Sequence, residues 1–277
     1  LIASFSEARL VSSHVQKCQR SNGEACLILV LISHGFFFTG RGFGTAGEVK
    51  IVSWFFRRVT MLPRFANNAD PNSMASRFRG RRNESFRAMA LSAPKPLRIL
   101  DVGGRETIWS TMGFASQSDV SIVLLNVEPV KVSYSNITSV TGDARHMQQF
   151  GDKEFDFVFS NSVIEHVGDF VDRQLMADEI KRVGRRYFVQ TPYRYFPIEP
   201  HFVFPGFQFL PFAARAALVR RFSLGHYPRQ PDQLEAEKTV RSIQLLSRRE
   251  LRSLFPDAQF ENERLFGITK SLLAIKV

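Results

Sequence analysis

A chain of 277 residues, 44% hydrophobic and 23% charged, has ordinary globular composition and enough length for one full core. This excludes a wholly disordered or collagen-like chain, and two cysteines, Cys18 and Cys26, exclude a disulfide framework or a four-cysteine zinc site. The net charge of +11 is uneven: residues 1–95 carry 14 basic and 5 acidic side chains, a net +9, against +2 for residues 96–277. The basic character is therefore local and does not make the folded part a nucleic-acid binder.

Residues 1–95 read as a poorly structured basic extension, without sustained helical or strand periodicity. The first methionine is Met61, so residues 1–60 are expected to include sequence ahead of the true start. The apolar run from Cys26 to Phe38 holds about 13 residues, short of the roughly 18–20 that cross a bilayer. No small-residue cleavage site follows it, and the chain reads as cytoplasmic. Residues 77–87 interleave arginine with phenylalanine and are expected to form a solvated basic arm. Ala93-Pro94-Lys95-Pro96 marks a linker, because each proline biases its predecessor away from helix, and the folded domain is expected to begin at residue 96.

From there the pattern changes. Leu97–Val102 is a buried-strand run stopped by Gly103-Gly104, and similar runs recur at 120–127, 137–140, 155–159 and 186–190. Phe170, Val171, Leu175, Met176 and Ile180 recur at helical spacing over 170–183. Residues 250–255 look like a last helix, and 258–266 and 271–277 like a closing antiparallel hairpin. Alternating strand and helix predicts an α/β fold: a doubly wound, Rossmann-like, mostly parallel seven-stranded sheet with an antiparallel last strand.

Ligands of such sheets lie beyond the carboxyl ends of the strands. The polar residues expected there are Asp101 with Gly103 and Gly104, Asn126 with Glu128, Asp143 with Ala144, and Ser160 with Asn161. Asp101 inside a buried run is costly unless it has a partner or a task. An acid after the second strand can accept from both ribose hydroxyls, and Glu128 is preferred over Asn126 because a charged acceptor bonds diols more strongly.

The motifs Ile99-Leu-Asp-Val-Gly-Gly104, Leu125-Asn-Val-Glu-Pro129, Thr141-Gly-Asp-Ala144 and Phe155 to Val167 occur in that order. Together they resemble the class I S-adenosylmethionine-dependent methyltransferases, specifically the small-molecule group called type 11. The resemblance implies S-adenosylmethionine as cofactor. Asp101, Gly103 and Gly104 would hold its methionine end, Glu128 the ribose, Asp143 and Ala144 the adenine, and Ser160 with Asn161 the floor beneath the sulfonium. The sequence departs from the family at the first loop, where Gly103-Gly104-Arg105 lacks the usual third glycine.

Residues 192–245 are expected to form a cap. Thr191 to Pro211 crowds aromatic residues with prolines, too broken for a helix and too apolar for a free loop, and 212–222 reads as a basic amphipathic helix serving as a lid or touching a membrane surface. Glu165, Thr191, Tyr193 and Glu199 are the candidate substrate-side residues, and His166 and His201 the candidate bases. The Glu199–His201 pair has no third ligand in sequence, so no metal is expected. The function so predicted is methyl transfer, at oxygen, to a small molecule or a cell-envelope saccharide or lipid intermediate, with nucleic acid disfavoured as a partner. The competing readings are an RNA-binding or inactive protein of the same fold and a nicotinamide oxidoreductase, the last weakened by the missing G-x-G-x-x-G.

Overall fold

The computed structural model describes residues 73–277; the cysteine pair and the apolar run 26–38 lie outside them. Buried apolar runs become strands: β1 (Leu97–Val102), β2 (Val120–Asn126), β3 (Ile137–Thr141), β4 (Phe155–Asn161) and β5 (Gly184–Pro192). Two short strands, β6 (Ile198–Glu199) and β7 (Phe204–Pro205), pair with each other, and β8 (Gln259–Leu265) and β9 (Ile268–Lys276) close the chain. The main sheet has the order β3-β2-β1-β4-β5-β9-β8. All pairings among β1 to β5 are parallel, and β9 runs antiparallel between β5 and β8. This is the expected doubly wound, seven-stranded Rossmann-like sheet, with its antiparallel strand last in the chain.

Side-chain alternation divides the core. Leu100, Val102, Val123 and Val158 face one side, covered by α3 (Phe170–Val183) and α6 (Arg248–Leu254) through Met176, Ile180, Leu251 and Leu254. Helix α3 starts where its sequence says it should, on a capping box between Asp169 and Asp172. Ile99, Ile122, Phe157, Phe159 and Phe188 face the other side, with Trp109 and Phe86. Trp109 belongs to α2 (Glu106–Thr111).

Phe86 corrects the expectation of a solvated arm. Residues Met74–Leu91 form a helix, α1, capped by the Ser73 side chain. The Phe86 ring meets Trp109, Phe157, Phe159 and Phe188 edge-on at 5.8, 5.7, 4.8 and 5.6 Å. Arg82, Phe86 and Ala90 are buried at a spacing of four, one stripe of the helix. The packed unit thus takes in residues ahead of the linker at 93–96.

The cap has its own small core. Phe202, Phe207, Val219, Leu224, Ala236, Val240, Ile243 and Leu245 pack together, drawn from the β6–β7 hairpin region, from α4 (Phe212–Arg221) and from α5 (Gln233–Arg241). In helix α4, Ala216 and Val219 face inward, and Arg220 donates to the Pro231 carbonyl and to Gln233 Oε1. Among the described residues no helix is long and apolar enough to cross a membrane.

Candidate active site

Asp101, near the end of β1, is almost completely buried. Its Oδ2 accepts from Trp109 Nε1 at 2.7 Å, and its Oδ1 has no hydrogen-bond partner among the described residues. Burial pushes its pKa up to about 7, against the pull of the Trp109 hydrogen bond. The loop that follows runs over this carboxyl group. Gly103 has φ +77°, and a Cβ there would stand 2.5 Å from Val163 Cγ2; a Cβ on Gly104 would stand 1.5 Å from Asp101 Oδ2. Arg105 and Thr107 stand where the family's G-x-G-x-G pattern, counted from Gly103, has its second and third glycines; Arg105 has extended backbone with φ −137° and Thr107 lies in α2, conformations any residue adopts. The backbone path therefore requires only the two glycines present.

At the end of β2, Asn126 Nδ2 donates to the Gly104 carbonyl at 3.1 Å, while Glu128 lies exposed in the following loop. After β3, Asp143 accepts from the Arg145 guanidinium and backbone, and these bonds hold its carboxyl below the usual range. Arg145 also reaches Asp172 at 2.8 Å, fixing the loop against α3, and Ala144 packs against the core on that side. At the end of β4, Ser160 is buried with its Oγ unpartnered, and Asn161 accepts from Arg82. Ser160 pairs with Val102 and Asn161 with Gln190, so β1, β4 and β5 bring these residues to one edge.

Two contributors escaped the sequence reading. Trp109, eight residues after Asp101, carries the only signal available, the one tryptophan in the first crossover. Arg82 has none, being one arginine in a run of them. It donates to Gln190 Oε1 at 3.0 Å and pairs with Glu263.

The second group of predicted residues converges where the cap meets β4 and β5. Glu165 follows β4 in a short 3-10 turn, Ile164–His166, and is fully buried. Its Oε2 accepts from Thr191 Oγ1 at 2.9 Å, and its Oε1 has no hydrogen-bond partner among the described residues. The cap hairpin brings His201 over it, with Nε2 3.9 Å from Glu165 Oε1. Glu199 holds His201 from behind: its Oε1 accepts from Nδ1 at 2.8 Å, and its Oε2 accepts from the backbone N–H groups of His201 and Phe202. Burial opposes a charge on His201, but the bonded Glu199 and nearby Glu165 outweigh it and raise its pKa. His166 places its ring edge-on to His201 at 4.8 Å, with Nδ1 on the Ser242 carbonyl at 3.2 Å. Tyr193 stays outside this group, edge-on to Tyr195 at 5.5 Å and under Arg248.

A cavity of about 320 Å³ opens inside the cap beside this cluster. Arg194, Arg215, Glu199 and Gln244 give it polar walls, and Phe207 and Phe212 an aromatic side. Arg215 Nε and Gln208 Oε1 are buried there without hydrogen-bond partners among the described residues. Glu199 joins cavity to cluster, as does Gln244, whose backbone N–H donates to the Glu165 carbonyl at 2.8 Å.

Residues 114–187 match the family model described as a methyltransferase domain. The match spans β2 through α3 to the first residues of β5 and takes in Asp143, Ala144, Ser160, Asn161, Glu165 and His166; Asp101 and residues 192–245 fall outside it. No curated protein matches the chain. Among solved structures, the chain is similar to a SAM-dependent methyltransferase from Methanosarcina mazei, at 12% identity over 68% of this chain and 95% of that one, TM-score 0.45. It is similar to a SAM-dependent methyltransferase from Aquifex aeolicus, at 12% identity over 70% and 89%, TM-score 0.41. It is also similar to the YcgJ protein from Bacillus subtilis, at 14% identity over 67% and 71%, TM-score 0.42.

Proposed function

The chain carries a class I S-adenosylmethionine-dependent methyltransferase domain, and on that premise we propose that it methylates a hydroxyl oxygen of a small polar acceptor held under the cap. S-adenosylmethionine supplies, when bound, a methyl group already activated on a sulfonium. The first loop fits such a ligand. Asp101 presents a buried carboxyl oxygen without a partner, and two glycines leave the backbone bare beside it. An ammonium group brought there would favour the ionised form that burial alone disfavours. Asp101, Gly103, Gly104, Ser160 and Asn161 would hold the methionine end, Asn126 and Glu128 the ribose, and Asp143 with Ala144 the adenine.

The cap cavity carries the acceptor half of the reading. At about 320 Å³ it has the capacity for a small molecule, and its guanidinium and amide walls with an aromatic side suit a hydroxylated ring such as a sugar or a phenol. An envelope saccharide or the head of a lipid intermediate has that chemistry. The candidate bases His166 and His201 do not line the cavity but adjoin its wall, His201 through its hydrogen bond to Glu199. Holding nucleophile and methyl carbon in line can contribute about 7–11 kcal/mol, so positioning by the cap is the main demand on this chain.

The test has two parts. S-adenosylmethionine and S-adenosylhomocysteine are titrated calorimetrically into the full chain and into Asp101→Ala. Labelled methyl transfer is then assayed against hydroxylated sugars, phenols and RNA. Micromolar binding lost in the variant, with label on a small hydroxyl compound, is the expected result. No binding to a folded chain, or label on RNA alone, overturns the proposal.

A further inference from the structure

Three donor atoms, next to the Glu199 and Gln244 that line the cap cavity, face one another with their other hydrogen-bonding atoms already committed. Glu165 spends Oε2 on Thr191 Oγ1 and leaves Oε1 unpartnered on a side chain with no exposure at all. His201 spends Nδ1 on Glu199, which must therefore be the protonated nitrogen of the neutral ring, and leaves the Nε2 lone pair toward Glu165. His166 spends Nδ1 on the Ser242 carbonyl, an acceptor that requires N–H there, and likewise leaves Nε2. One donor atom from each of the three residues lies within 4.8 Å of the others. Histidines that ligate metals show this pattern: the far nitrogen donates to a carboxylate or a carbonyl, which fixes the tautomer and aims the near nitrogen.

We propose that Glu165, His166 and His201 form a divalent transition-metal site, with Glu165 Oε1 and the Nε2 atoms of both histidines as ligands. Two imidazoles and one carboxylate suit Mn²⁺, Fe²⁺, Co²⁺ or Zn²⁺ better than an all-oxygen cation such as Ca²⁺. Ligand distances of about 2.0–2.2 Å place donor atoms about 3.3 Å apart in a tetrahedral site, so the cluster contracts modestly on binding. No third ligand for the Glu199–His201 pair is apparent in the local sequence. The fold instead makes Glu199 the outer partner and supplies Glu165 and His166 from the end of β4.

The position suggests what the ion does. With three protein ligands, one or more coordination places remain, at which an acceptor hydroxyl would bind the metal and lose its proton more readily. The histidines then act as ligands rather than as bases. That role rests on the methyl-transfer reading, whereas the binding itself does not.

The test is made on the untagged full chain, stripped of metal and without any cofactor. Mn²⁺ is followed by loss of its free-ion paramagnetic resonance signal and Co²⁺ by its visible absorption bands. One equivalent should bind, with affinity at least tenfold weaker in Glu165→Gln and His201→Gln, and about tenfold weaker in Glu199→Gln. His166→Gln, at a partly exposed ring, carries the test if the buried variants fail to fold. A folded chain that binds neither ion stoichiometrically, or variants that bind as the wild type does, overturn the proposal. Failure here with intact S-adenosylmethionine binding leaves the methyltransferase reading standing; the reverse outcome removes that reading and keeps the metal.

Discussion

Arg82 and Glu263, 181 residues apart, form a two-pronged ion pair with Nε–Oε1 at 2.8 Å and Nη2–Oε2 at 2.7 Å. Both side chains are largely buried, 6% and 12% exposed, so water screens the pair little. The contact joins α1 to β8 across the carboxyl ends of β4 and β5, where the same guanidinium bonds Asn161 and Gln190. Removing one partner leaves the other charge buried, so Arg82→Met or Glu263→Gln should each cost about 3–5 kcal/mol. Arg82→Met should cost the more, because Asn161 and Gln190 also lose a donor. Urea unfolding of both single variants and the double variant checks this: the double loss should fall well short of the sum. Losses under about 1 kcal/mol would mean the pair behaves as a surface bridge.

The Asp101 carboxyl makes stability depend on pH in a stated direction. Its pKa lies near 7 in the folded chain, against about 3.9 in an unfolded one. Between those values the folded state holds a proton that the unfolded state has released. Stability contributed by this group is therefore greatest below the lower value, falls as pH rises through the window, and is level above about pH 7. The full span corresponds to about 4 kcal/mol. Asp101→Asn keeps an acceptor for Trp109 and carries no charge, so it should flatten this slope and exceed the wild type in stability at pH 8. Unfolding of both proteins at pH 5, 6, 7 and 8 reads the difference; parallel profiles would assign the slope to other groups.

Two glycines should respond oppositely to the same substitution. A Cβ on Gly104 meets the Asp101 carboxyl group, which Trp109 pins in place and which has nowhere to retreat. Gly104→Ala should therefore displace the loop and cost cofactor affinity at least tenfold. Gly80, inside α1, has nothing within 4 Å of an added Cβ, and alanine there should stabilise the chain by about 1 kcal/mol through helix propensity. Calorimetric titration of S-adenosylhomocysteine and thermal unfolding separate the two. A Gly104→Ala chain that binds as the wild type does would remove the close approach from the argument.

The strands were legible because a buried parallel strand has little choice of residue: β1, β2 and β4 are nearly unbroken apolar runs, and α3 announces itself by a cap and a period. Helix α1 was not, because its buried stripe contains a charge. Arg82, Phe86 and Ala90 share one face, and only the distant Glu263 explains why an arginine can be there. The residues of the Glu165–His166–His201 cluster were each singled out from sequence, but their convergence was not. It depends on the β6–β7 hairpin folding His201 back onto the end of β4, a contact across 36 positions that no local pattern encodes.

The choice between Asn126 and Glu128 is the sharpest disagreement between chain and fold. Sequence chemistry favours the carboxylate, but β2 ends at Asn126, which bonds the Gly104 carbonyl, and Glu128 points into an exposed loop two residues on. Asn126→Ala removes a hydrogen bond that also fixes the glycine loop, so it should weaken S-adenosylhomocysteine binding by about 1–2 kcal/mol, or roughly tenfold. Glu128→Ala should change it by less than about twofold if that side chain stays in solvent. The two variants, titrated side by side, discriminate directly. A larger loss in Glu128→Ala would mean that the loop after β2 turns inward when the ribose is present, and that the acid, as its chemistry suggests, is the group that meets it.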